Sequence, residues 1–189
     1  MKSTLPVRGR TVALAAAAAV LAGLLLAAVD ASAQTGVTGG YSAEPPPLAT
    51  VPGATAAMTT DKRTAAAPAG APPQVVRAIA AANRITRKPY KWGGGHGRWR
   101  DTGYDCSGTV SYVLHAAGLL GAARDSSGFM RYGQRGKGGW ITVYAHGGHA
   151  FMVIAGLRFD TSGRGEDGPR WRLEPRSGRG FVKRHPVGL

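Results

Sequence analysis

The sequence contains one cysteine, Cys106, so no disulfide can form within the chain, and whatever that sulfur does must be explained by something other than bridging. Acidic residues are also scarce: 10 Asp and Glu stand against 24 Lys and Arg, a formal net charge of +14. Long apolar runs are missing after residue 29, which excludes a polytopic membrane protein. The Gly93-Gly94-Gly95 stretch lacks the Lys-Ser/Thr or third spaced glycine of a phosphate-cradling loop, so it is not a nucleotide site.

Beyond these absences, the chain divides by composition. Lys2, Arg8 and Arg10 precede an apolar run over residues 12–29, which ends at Ala31-Ser32-Ala33. That order of charged, apolar and small residues predicts a signal peptide over 1–33, with a retained membrane anchor as the alternative. Residues 34–73 hold seven of the twelve prolines and one aromatic, Tyr41, a composition that predicts a disordered linker. Residues 74–189 are the length of one small domain.

Within that domain Val75, Ile79, Ala82 and Ile85 fall near one helical face, and Pro72 and Pro73 are placed to start the helix. Val110, Val113, Leu114 and Ala117 give a second amphipathic helix over 107–117 that stops at Gly118 and carries Cys106 at its head. Later segments are β-rich: 140–144 and 149–155 read as a hairpin, a turn at Ala155-Gly156 leads into 157–161, and 171–173 and 181–183 are further short strands. Helices first and strands later predict an α+β fold with an antiparallel sheet.

A cysteine at a helix N-terminus is chemically useful. Unpaired backbone N–H groups and the positive end of the dipole stabilise the thiolate, and the same N–H groups can bind an oxyanion. Such a nucleophile needs an imidazole. His115 lies half a turn away from Cys106 on the helix, His96 and His185 read as solvated, and His146 falls in the hairpin turn. His149 opens the apolar run Phe151-Met152-Val153-Ile154 and is the best base. If the next turn uses only Ala155-Gly156, Asp160 shares the face of His149 as its diagonal neighbour, whereas a three-residue turn would bring Thr161 there. Asp160 is the expected third group. Metal binding through His146, His149 and Cys106 has poor spacing and lacks nearby carboxylates, so neither metal nor cofactor is expected.

Tyr90-Lys91-Trp92-Gly93-Gly94, Asp105-Cys106-Ser107-Gly108, Tyr112-Val113, Gly118-Leu119 and Gly148-His149 together resemble the NlpC/P60 cysteine peptidases of bacterial cell walls. The resemblance implies a papain-like α+β core, with the cysteine helix packed on a small antiparallel sheet, that hydrolyses amide bonds in peptidoglycan stem peptides. It implies Cys106 as nucleophile, His149 as base and Asp160 or its neighbour as third member, with Tyr90, Asp105 and Ser107 in the substrate cleft. Two departures stand out. Gly138-Gly139-Trp140-Ile141-Thr142 replaces the usual Gly-Asp-Leu element, and the third residue, most often histidine in the family, is here an aspartate. The basic balance suits anionic wall polymers, and export argues against nucleic acid. The expected location is secreted or wall-associated, without stable membrane insertion once the signal is cut. A non-catalytic wall-binding module on the same fold and a thiol acyltransferase are the rival readings.

Overall fold

The computed structural model describes residues 48–163 and 168–189. The expected signal peptide and residues 34–47 of the expected linker lie outside them. Three helices and nine short strands are present among the described residues: β1 (Thr50–Val51), β2 (Ala57–Met58), β3 (Ala65–Pro68), α1 (Pro73–Ile85), α2 (Cys106–Ala116), α3 (Ser126–Phe129), β4 (Gln134–Arg135), β5 (Ile141–His146), β6 (His149–Ile154), β7 (Leu157–Asp160), β8 (Arg170–Arg172) and β9 (Val182–His185). The last six form one sheet in the order β4-β9-β5-β6-β7-β8, antiparallel throughout. Helices precede this sheet in the chain, an α+β arrangement.

Helix α1 begins with proline in its first turn and buries Val75, Ala78, Ile79, Ala81, Ala82 and Ile85, the face its periodicity predicts. Helix α2 differs from the expected amphipathic helix. Every residue from Ser107 to Leu114 is buried, because α2 has α1 and β6 as neighbours. Small residues make this crowding feasible: a Cβ on Gly108 would sit 1.9 Å from the Gly94 carbonyl oxygen. The glycine run at 93–95 is therefore a close approach of backbone to the head of α2, and the Asp105 N–H donates to the Gly94 carbonyl there at 3.2 Å.

The linker expectation needs correction over residues 48–73. This stretch forms β1, β2 and β3, a separate three-stranded sheet with order β1-β3-β2, and Ala65 and Ala67 are fully buried in the main core. Asn83 of α1 explains the docking: its Nδ2 donates to the Ala65 carbonyl and its Oδ1 accepts from the Ala65 N–H, both at 2.9 Å, so the side chain acts as one more strand residue. The same Oδ1 accepts from Trp171 Nε1 at 2.7 Å, and the Ala56 N–H donates to the Ala155 carbonyl at 2.8 Å. Composition counts alanine as weakly hydrophobic and misses that its small size admits a strand against a helix.

The hairpin β5–β6 pairs His146 with His149, so strand β5 runs further than residue 144 and the loop is two glycines. The turn from β6 to β7 is the two-residue one, pairing Ile154 with Leu157 and Met152 with Phe159. Both its residues have positive φ, 46° at Ala155 and 82° at Gly156, the backbone of a type I′ turn, whose twist suits a tight hairpin. No helix among the described residues is long and apolar enough to cross a membrane.

Candidate active site

Cys106 is the first residue of α2. Asp105 caps that helix by accepting the Gly108 N–H at 2.7 Å on Oδ1, and its Oδ2 accepts the Gly93 N–H at 3.0 Å. The backbone N–H groups of Cys106 and Ser107 have no acceptor among the described residues. The thiol itself is partly buried, with the imidazole of His149 and the backbone N–H of Ala150 beside it.

His149 opens β6, and its Nε2 lies 2.9 Å from Asp160 Oδ1. An ionised carboxylate only accepts, so Nε2 carries a proton and Nδ1 is the nitrogen left to the thiol. The tight turn at Ala155-Gly156 is what sets Asp160 diagonally across from His149 on one sheet face. Thr161 is buried next to it and makes no hydrogen bond to the ring.

The Asp160 side chain is 0% exposed, and an anion so buried must be compensated. Oδ1 accepts from His149, from the Ser162 N–H at 3.0 Å and from the Ser162 hydroxyl at 3.1 Å. Oδ2 accepts from Arg176 Nη1 at 3.0 Å, while Arg158 Nη1 stands off at 3.9 Å. Burial alone would push this carboxyl up; the bonds from His149 and Ser162 and the positive charges outweigh it, so Asp160 is held below the usual carboxylate range.

The other two groups move in the directions an ion pair requires. Burial alone would lower the His149 pKa, but bonds to Asp160 and Cys106 and their charges raise it to about 9. Burial alone would raise the Cys106 pKa, but the His149 interaction and the Ala150 N–H overcome it and the net direction is downward. An imidazole that holds its proton beside a thiol that gives its proton up favours thiolate and imidazolium.

The three residues expected in a cleft from family resemblance have distinct surroundings. Tyr90 is 39% exposed and its backbone bridges Tyr104 just before the head of α2. Asp105 and Ser107 are buried, and both engage His96: His96 Nε2 is 3.0 Å from Asp105 Oδ1 and 3.2 Å from Ser107 Oγ. His96, expected to be solvated, is thus tied to the helix that carries the thiol. The Gly93-Gly94-Gly95 run marks a close approach in the sequence, but not that the segment it approaches is the head of α2, which is what brings His96 there. His115 stacks on Trp99 at 3.8 Å and bonds the Leu120 carbonyl, away from the thiol. His146 accepts the Gly148 N–H on Nδ1 and packs against Phe181. His185 lies by Gly136 and Gln134.

Sequence reading also passes over Arg176 and Ser162, which sit in irregular segments where no periodicity marks them. Arg176 lies with its guanidinium carbon 5.3 Å from the ring centres of both Phe151 and Phe181. Among the described residues no three His, Cys, Asp or Glu side chains gather closely enough to hold a metal. No protein-family model matches this chain, and no curated protein matches it either.

Proposed function

We propose that the chain is an exported cysteine peptidase with a papain-like core of the NlpC/P60 kind, hydrolysing amide bonds in peptidoglycan stem peptides. The observation that carries this reading is the sequence of contacts from Cys106 through His149 to Asp160, with the sulfur at a helix head and the carboxylate fully buried. Further support comes from the signal-peptide pattern of residues 1–33 and the Asp105-Cys106-Ser107-Gly108 motif. Wall polymers bearing phosphate or carboxylate groups suit the +14 charge as a surrounding surface.

In this reading the Cys106 thiolate attacks the scissile carbonyl carbon, and the electron pair moves onto the carbonyl oxygen. The unengaged N–H groups of Cys106 and Ser107 receive that oxyanion. Collapse breaks the C–N bond as His149 Nδ1 gives its proton to the departing amine, leaving a thioester and a neutral imidazole. Water then attacks the thioester carbonyl as His149 takes one of its protons, the C–S bond breaks to restore the thiolate–imidazolium pair, and the carboxylic acid product leaves and loses its remaining proton to solvent. Asp160 keeps Nε2 protonated throughout.

The test is mass spectrometry of muropeptides after incubating purified sacculi with the protein and with its Cys106→Ala variant. The expected result is release of stem-peptide fragments by the native protein and a loss of at least about 10³-fold in the variant, on the scale of removing a nucleophile. Equal release by both would reject the assignment. Binding to sacculi without any release would favour the wall-binding module, and an amine-capped product in place of a free carboxylate would favour acyl transfer.

A further inference from the structure

Asp160 meets more positive charge than it can neutralise. When His149 is protonated, one carboxylate faces that imidazolium, the Arg176 guanidinium at 3.0 Å and the Arg158 guanidinium at 3.9 Å. Arg176 Nη1 also lies 3.4 Å from His149 Nε2 and bonds the Ser162 hydroxyl. Both nitrogens carry hydrogens, so neither can accept from the other, and the contact is a repulsion between like charges whenever the ring is charged. Arg176 reaches this place because Phe151 and Phe181 flank its guanidinium, and its side chain remains 31% exposed.

The arrangement has a chemical meaning for an acid that must give up its proton. A buried carboxylate alone would bind the imidazolium so firmly that proton transfer to a departing amine is slowed. A second cation sharing that carboxylate weakens its hold and opposes the ring charge directly. We infer that Arg176 is a positioning residue that clamps Asp160 through Oδ2 and sets the acid strength of the His149 imidazolium. This inference rests on the reading of Cys106 and His149 as the reacting pair. The charged and titratable groups facing His149 are Cys106 from α2, Asp160 and Arg158 from β7, Arg176 from the connection between β8 and β9, and His146 across the hairpin, with Asp105 at the cap beside Cys106.

The experiment is an NMR titration of the histidine ring signals in the intact protein, with His149 assigned by its loss in His149→Ala. It is run for the native chain, Arg176→Gln and Arg176→Lys. The His149 midpoint should rise by about one pH unit in Arg176→Gln, a tenfold gain in proton affinity, and by less than about a third of that in Arg176→Lys, which keeps the charge. Turnover should fall in Arg176→Gln with KM unchanged. An unmoved midpoint in a folded Arg176→Gln protein overturns the inference, as does an equal rise in both variants. Should Arg176→Gln not fold, Arg176→Met, which keeps the apolar stem between the two rings, must show the same rise or the inference fails. The titration needs no substrate, so a native protein that releases no muropeptides defeats the peptidase reading alone, while a flat titration with an active native protein defeats only the role of Arg176.

Discussion

A thiolate–imidazolium pair exists only between the pKa values of its two members, and burial by itself would close that interval from both sides. Here the contacts reverse both effects, lifting His149 to about 9 and lowering Cys106. The lift has a thermodynamic counterpart that can be measured without substrate. With the thiol removed in Cys106→Ala, Asp160 still favours the charged ring, so the native state binds a proton that the unfolded chain releases near the ordinary value of 6.5. Stability from this group is therefore fully present below that pH and is lost as pH rises through the elevated folded-state value. Urea unfolding of Cys106→Ala should show a decline of about 1 to 3 kcal/mol from neutral to alkaline pH, and the double variant with Asp160→Asn should show a nearly flat dependence over the same interval. A flat profile in the single variant would mean that Asp160 does not hold the proton. At this scale the places of Cys106 and His149 are legible from sequence because each sits at an element boundary, where periodicity assigns it a position. Arg176 is not legible, since its position depends on Phe151 of β6 and Phe181, just ahead of β9, meeting around it.

Among the elements, α2 is the one whose placement decides the site. Its head is fixed by the Asp105 cap and by a backbone approach so close that a Cβ at position 108 would sit 1.9 Å from the Gly94 carbonyl oxygen. Gly108→Ala would drive a methyl group into the Gly94 carbonyl, and since both sides are backbone, neither can swing away. We expect a loss of about 3 kcal/mol in urea unfolding, within the range for overpacked cores, together with slowed alkylation of Cys106 as its helix shifts. Unchanged stability would show that the loop at 93–95 yields freely. The helix ends and the β6–β7 turn are legible in sequence because proline, glycine and alternation mark them locally. The all-round burial of α2 is not, since Ser107, Thr109 and Ser111 read as solvent-facing polar positions, and the long-range partners of two of them, His96 for Ser107 and the Arg124 carbonyl for Ser111, leave no local mark.

Over the whole molecule, the strands at residues 50–68 extend the folded part well before the first helix. Beside the buried alanines and the Ala56 to Ala155 bond, their attachment runs through Asn83, whose side chain satisfies both backbone groups of Ala65 and the Trp171 indole. Asn83→Ala would leave those groups buried without partners, and a destabilisation of about 3 kcal/mol is expected in denaturant unfolding. Limited proteolysis should then cut between residues 50 and 68 before the remainder; if cleavage there is no faster than in the native protein, the strands are held by other means. Composition obscures this region because proline and alanine abound both in tethers and in tight strand–helix contacts, and only the long-range bonds tell them apart.

Strand β9 lies between β4 and β5, although it comes last of the nine in the chain. Until residues 182–185 have been synthesised, β4 has no neighbour to pair with and β5 presents a bare edge next to the strand that carries His149. Folding must thus proceed against chain order at this end of the sheet. A shortened product that stops before Val182 would expose an adhesive ribbon prone to pairing with its own copies, so a nonsense change there threatens solubility as well as chemistry.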